Sequence, residues 1–515
     1  MDILSDLPDR IHGILAEGAK AGPDRIAITD ERGVDWSYAD MMSTVELVVT
    51  ELKDLGIRAG DRVMIVCENS IAAIMLMYAT SRLDAWGVMT NARLSDRELE
   101  LIEQDSQPRR VLYTNVVSAE AAAHADAAGA EPVQFSGIGE VRITKQNDAV
   151  KAEETHQDGA KQAAILIYTT GTTGHPKGVM LSHRNLCFVA CRGARTRTIF
   201  PEDVSWCIMP ISHSYGLVLL QQMLFAGGRV KIMPRFDVAT TLDAIGSGEI
   251  TIFNAVPALL SRVIAYVEKN GVVMQPNNLR YAYCGTAPLD LSLREKAEEI
   301  FGVVLHNGYG LTETSPSISR SIYEKGSGVI NIGPAIPHVD IKVVDADGAE
   351  VAQGETGELL VKGPNVMLGY YGQPDLTSQV IDEDGYLHTG DLVSVNERGE
   401  IAIQGRSKEL IIRSGFNVYP QEVEAALNAH STVLNAAVIG IPVEGNEEII
   451  AFVELVPEGS VDTAELAAFI EGQLARYKRP QRIFILERLP MAPNGKIRKH
   501  ELKHYVEQPK IDARA

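Results

Sequence analysis

Apolar positions along the chain fall into two alternating rhythms. Residues 12–20 and 38–54 repeat their apolar side chains at helical spacing. Between them Ile26-Ala27-Ile28-Thr29 reads as a strand, and Arg62-Val63-Met64-Ile65-Val66-Cys67 reads as a buried one. Residues 71–83 follow as an apolar helix. Strands alternating with helices predict α/β architecture with a largely parallel sheet.

The rhythm changes at 333–415. Short β-like runs (Ile341-Lys342-Val343-Val344, Gly357-Glu358-Leu359-Leu360-Val361, Gly399-Glu400-Ile401-Ala402-Ile403) alternate with glycine and aspartate turns, which predicts an antiparallel subdomain. Past Tyr419 helices resume, with strands at 436–441 and 449–455. This last stretch, roughly a hundred residues, suffices for a small domain. The expected fold is α/β: a large N-terminal domain of αβ-layered subdomains with a β-rich subdomain, then a small α+β C-terminal domain.

Composition agrees. The 515 residues are 45% apolar and 23% charged, enough for a large core. The net charge of -20 repels nucleic acid and anionic membranes, so neither is expected as a partner. Anionic substrates must meet local cations. Cys67, Cys187, Cys191, Cys207 and Cys284 include no CxxC pair, and read as buried thiols in a reducing compartment. The first residues lack the basic and apolar runs of a signal peptide, and no apolar run approaches the roughly 20 residues that span a bilayer. The last residues carry no address signal. A cytoplasmic protein without an integral membrane segment is expected. Oligomeric state leaves no signal.

The strongest local chemistry lies at Tyr168-Thr169-Thr170-Gly171-Thr172-Thr173-Gly174-His175-Pro176-Lys177-Gly178, after the strand-like run 163–167. Such a loop can turn backbone N–H groups, threonine hydroxyls and one ammonium toward phosphate. It is not GxxxxGK[ST], because glycine follows Lys177 where the magnesium-binding Ser/Thr would stand.

Here the sequence resembles the adenylate-forming enzymes, which include acyl-CoA synthetases, peptide-synthetase adenylation domains and beetle luciferases. The loop matches their [ST][ST]G[ST]TGxPKG signature, and further blocks follow in family order over nearly the whole chain. Asn307-Gly308-Tyr309-Gly310-Leu311-Thr312-Glu313-Thr314 resembles the adenine and magnesium block. Thr389-Gly390-Asp391 resembles the ribose block, and Gly405-Arg406-Ser407-Lys408-Glu409-Leu410-Ile411 the hinge block. Pro493-Asn494-Gly495-Lys496-Ile497 resembles the catalytic-lysine block.

The resemblance implies an ATP-dependent acyl-CoA synthetase. It converts a carboxylic acid, through an acyl-adenylate, into a coenzyme A thioester, with AMP and pyrophosphate as products. ATP and coenzyme A are co-substrates and Mg2+ the cofactor. Two anions meet when a carboxylate attacks the α-phosphate, so positive charge is needed there. Lys496 is the implied bridge. Glu313 is the magnesium ligand, a lone carboxylate beside phosphate oxygens. Thr312 donates to the α-phosphate. Thr169 to Gly174 and Lys177 hold phosphate, and Tyr309 offers a face to adenine. Asn307, Gly308 and the backbone of Gly285, Thr286, Ala287 and Pro288 lie at its edge. Asp391 and Arg406 take the ribose.

The family also implies a mobile C-terminal domain that rotates between the two half-reactions. The implied division is 1–405, a hinge at 406–408 centred on Lys408, and 409–515. After rotation Ser414, Gly415 and Phe416 would face coenzyme A. His213, in Pro210-Ile211-Ser212-His213-Ser214-Tyr215-Gly216, is implied to pack at the carboxylate end of the acid and to act in catalysis. Tyr215, Gly285, Gly310 and Ser317 would line the acyl pocket. Its expected walls (254–257, 284–287, 309–311, 315–319) carry no arginine or lysine, which favours a monocarboxylic acid, fatty or aromatic. Rival readings are a stand-alone adenylation enzyme that loads a carrier protein and, from another class, a phosphotransferase or ATPase.

Overall fold

The computed structural model describes residues 4, 6–170, 176–413, 416–443, 446–457, 459–492 and 497–507. Two eight-stranded sheets dominate it. One has as its centre the parallel strands Arg62–Cys67, Trp86–Asn91, Arg110–Tyr113 and Ala163–Thr170, with antiparallel strands at both edges. The other runs parallel through Ile26–Thr29, Arg229–Ile232, Val204–Cys207, Ile252–Ala255, Tyr281–Cys284 and Leu305–Tyr309. Arg62–Cys67 is buried at every position, as a strand covered on both faces must be. The helix Ile71–Arg82 is buried nearly all round, and its side chains join one apolar core shared by both sheets.

Local chemistry starts the helices at their first turns. Ser37 and Asp40 form a reciprocal cap on Tyr38–Asp54, and Ser182 with Asn185 does the same for His183–Thr196. All five cysteines are buried thiols.

The antiparallel region is a four-stranded sheet of Asp340–Val344, Gly357–Lys362, Leu387–Val395 and Ile401–Arg406. The third strand escapes the pattern because Thr389-Gly390-Asp391 reads as a turn. Gly390 does sit at φ 69° inside the strand, next to Asp391.

The C-terminal domain has its own apolar clusters. Val433–Val443 and Asn446–Leu455 pair antiparallel, as predicted. A third strand, Arg482–Leu486, adds in parallel and was not anticipated. Among the described residues, no helix is long and apolar enough to cross a membrane.

Candidate active site

A cleft of about 2150 Å³ runs between the carboxyl ends of the sheets and the C-terminal domain. Most of the residues singled out in the sequence line it, carried by separate elements.

The phosphate segment is a hairpin. Strand Ala163–Thr170 pairs antiparallel with Pro176–Ser182, placing Thr169 opposite Lys177. The strand is therefore longer than the 163–167 run suggested, and a second strand follows the loop. Gly171, Thr172, Thr173 and Gly174 lie outside the described residues, as does the side chain of Thr170. Thr169 and Lys177 line the cleft.

Tyr370 joins this hairpin to the acidic block. It belongs to a two-residue strand, Gly369–Tyr370, that pairs with Met180 and Val179. Its ring lies under the Lys177 ammonium, 5.1 Å from the centroid. Its hydroxyl donates to Glu313 Oε1 at 2.8 Å. Burial, then the Glu313 charge, raises the phenol well above its ordinary value, so it remains a donor. The sequence reading missed Tyr370. The available signal was Gly369-Tyr370-Tyr371-Gly372, two aromatics between glycines.

Glu313 lies in the short helix Thr312–Thr314, beyond the strand Leu305–Tyr309. Thr312 Oγ1 is 3.2 Å from Ser214 Oγ, which ties the acidic block to the start of helix Ser214–Phe225. His213 takes the N-cap position of that helix and lines the cleft, but its side chain makes no capping bond. Among the described residues no three His, Cys, Asp or Glu side chains cluster as a metal site. A carboxylate that shares the cleft with Lys177 fits Mg2+ completed by substrate oxygens and water.

The second polar group is tighter. Asp391 and Arg406 sit opposite each other on adjacent strands, with Arg406 Nε 3.0 Å from Asp391 Oδ1. The Tyr309 hydroxyl donates to Asp391 Oδ2. Burial first, and then Asp391, holds the Tyr309 phenol well above its ordinary value. Buried Asn307 accepts from Gly308 N at 2.7 Å. Thr286, Ala287 and Gly285 line the same wall. Thr286 adopts a left-handed backbone, φ 75°, uncommon for a β-branched residue and here at the edge of the cleft.

On the acid side, Tyr215 is buried and its hydroxyl donates to the Ala255 carbonyl at 3.3 Å. A Cβ at Gly285 would stand 3.2 Å from the Tyr215 ring. A Cβ at Gly310 would meet the Pro316 carbonyl oxygen at 1.8 Å, so backbone crosses closely here, and Gly310 also lines the cleft. Ser317 lines the cleft.

The expected walls carry no arginine or lysine, but a cation outside them reaches the cleft. Arg197 lines the cleft from the C-terminal cap of helix His183–Thr196.

In the C-terminal domain, Met491 and Ile497 bridge, and both line the cleft with Ala492 and Arg498. Lys496, between them, lies outside the described residues, as do Ser414 and Gly415. Phe416 stacks on Tyr477 at 4.7 Å and is not among the cleft-lining residues. Lys408 lines the cleft within the one-turn helix Ser407–Glu409.

The profile of the AMP-binding enzymes matches residues 15–371, and that of the AMP-binding enzyme C-terminal domain matches 422–496. The chain belongs to the AMP-binding enzymes, and within them to the AMP-forming acid–thiol ligases. It is 31% identical over 498 residues to the 2-succinylbenzoate–CoA ligase of Geobacillus kaustophilus, covering 96% of this chain and 97% of that one. The ATP-bound structure of MatB from Rhodopseudomonas palustris superposes with a TM-score of 0.82 at 30% identity, covering 96% and 99% of the two chains. The o-succinylbenzoate CoA synthetase (MenE) of Bacillus subtilis, solved with ATP and magnesium ion, gives 0.81 at 28% identity and coverage of 95% and 99%.

Proposed function

We propose that this cleft carries out both half-reactions of an acyl-CoA synthetase. A carboxylate oxygen attacks the α-phosphorus of ATP, and the bond to the bridging oxygen breaks to release pyrophosphate. The thiol of coenzyme A, giving up its proton, then attacks the acyl carbonyl, and AMP leaves. The observation that carries this reading is convergence. A phosphate hairpin with Lys177, a lone carboxylate at Glu313 and the Tyr309–Asp391–Arg406 group face one cleft from separate elements.

Each group has a chemical task. Lys177 and the hydroxyls of its hairpin receive the outer phosphates, and Thr312 donates to the α-phosphate. Asp391 accepts from the ribose hydroxyls, and the Tyr309 ring takes the adenine face. His213 closes the carboxylate end of the acid pocket. Glu313 would hold Mg2+. When bound, the ion neutralises charge on the phosphates. Lys496 supplies the positive charge where the carboxylate and the α-phosphate meet. Its bridged neighbours, Met491 and Ile497, face the cleft while Phe416 does not, which supports an arrangement competent for adenylation.

The division at 406–408 extends the proposal. Rotation about Lys408 would withdraw Lys496 and bring Ser414, Gly415 and Phe416 to the pantetheine arm. The acid is fatty or aromatic, and the rings of Tyr215 and Tyr283 in the wall favour an aromatic one.

A panel of carboxylic acids offered with ATP and coenzyme A, read by pyrophosphate release and thioester formation, tests the scheme. Thioester with AMP is the expected outcome. Release of ADP or free phosphate would reject it, and pyrophosphate without thioester would transfer the second step to another acceptor, such as a carrier protein.

A further inference from the structure

Arg197 is an unusual group to find in an apolar wall. It is only 8% exposed. Its guanidinium carbon lies over the Tyr283 ring, 3.9 Å from the centroid, and 6.0 Å from that of Tyr281. One nitrogen, Nη1, donates to Asn254 Oδ1 at 3.1 Å, and Asn254 in turn donates to Ser205 Oγ at 3.3 Å. That is one side-chain hydrogen bond for a group with five donors. No carboxylate lies within ion-pair distance among the described residues.

The remaining guanidinium donors are not sealed in protein. They are absent from the buried nitrogens that lack a partner, and Arg197 itself lines the cleft. They therefore open toward the ligand space. Burying a cation without a counter-charge is costly, and stacking on tyrosine offsets only part of that cost. Such a group is completed by a planar anion that accepts two parallel N–H bonds, the geometry a carboxylate provides.

A chain of contacts links Arg197 to the Thr312 block. Thr312 meets Ser214, whose neighbour Tyr215 faces Tyr283, and Tyr283 carries Arg197 on its ring. Arg197 therefore lines the cleft beside the two tyrosine rings, two contacts removed from Ser214 and Thr312. We infer that the acid bears a second anionic oxygen group at its distal end, which Arg197, oriented by Asn254, recognises. This rests on the acyl-CoA synthetase reading and adds its substrate class.

The test uses the full chain and a matched series of aromatic acids carrying a distal carboxylate, its methyl ester, or hydrogen. kcat/KM is read by pyrophosphate release, with thioester formation followed in parallel. The wild type should prefer the distal carboxylate about 10- to 100-fold, the value of a charge-assisted hydrogen-bonded pair. Arg197→Met should reverse that order, chiefly through KM, and Arg197→Lys should restore part of it. A wild type indifferent to the distal group overturns the inference. So does an Arg197→Met variant that loses all three acids equally, with the lowered melting temperature of a purely structural arginine. Failure of every acid to yield AMP and thioester would instead reject the synthetase reading itself.

Discussion

Tyr370→Phe removes one oxygen from the junction between the phosphate hairpin and Glu313. The ring under Lys177 stays, and the donor to Glu313 Oε1 goes. A hydrogen bond to a charged acceptor contributes about 1.5–3 kcal/mol. Glu313 is half-buried and faces a solvent-filled cleft, so water replaces part of the lost bond and the lower end applies. That corresponds to about a tenfold fall in the rate of adenylation, with a higher magnesium concentration at half-maximal rate. Tyr370→Leu also loses the ring, and a cation–π contact adds about 0.5–2 kcal/mol. Its further loss should fall on the KM for ATP. The assay is pyrophosphate release at saturating acid across a magnesium titration, with melting temperatures to confirm folding. A Tyr370→Phe enzyme with wild-type rate and magnesium dependence would refute the coupling. Equal damage in the two variants would assign the effect to packing of the ring.

Lys496→Ala should depress adenylation about a hundredfold or more while largely sparing thioester formation from supplied acyl-adenylate; equal loss in both half-reactions would exclude the two-position scheme. Gly18→Ala should destabilise the N-terminal domain by several kcal/mol, because the new Cβ would stand 2.1 Å from the Leu224 carbonyl oxygen and 2.4 Å from the Tyr38 ring; an unchanged denaturation midpoint would contradict the packing. Burial holds His183 well below the ordinary 6.5 and takes His12 and His306 to about 4, so the folded state binds fewer protons than the unfolded chain below that pH. Stability from these groups is complete above pH 6.5 and is lost as pH falls toward 4, read as a falling melting temperature. Asp290, pushed up to about 6 by burial, acts in the opposite sense, so Asp290→Asn should steepen the loss, and a shallower profile would contradict the assignment.

How much was legible in the sequence depended on how local each feature is. The Tyr309, Asp391 and Arg406 group could be expected because each residue sits in a short block whose chemistry is intelligible alone, although only the strand register reveals that Asp391 and Arg406 face each other. Tyr370 was hidden because a two-residue strand pairing with Met180 and Val179 delivers it, and pairing across so long a separation leaves no periodic trace. Arg197 was hidden for another reason. An arginine at the end of a helix is ordinarily a solvated residue favoured by the helix dipole, and only the packing of that helix end against Tyr283 turns it inward. The strand Leu387–Val395 was obscured by Gly390, which sits at φ 69° within it.

Lys177 and Arg197 belong to one uninterrupted run of chain. Strand Pro176–Ser182 passes through the Ser182 cap directly into helix His183–Thr196, with no loop to absorb a displacement. A helix of this length spans about 21 Å, and its buried face is locked into the core by Leu186, Cys187, Phe188, Val189 and Ala190. Under the proposed assignments the segment is a ruler, with the nucleotide at its zero mark and the far end of the acid at its limit. Moving the limit by sliding the helix would drag the zero mark with it. Acids of a different reach must therefore be accommodated by exchanging the residue at position 197 or its neighbours on other strands, while the span itself stays fixed.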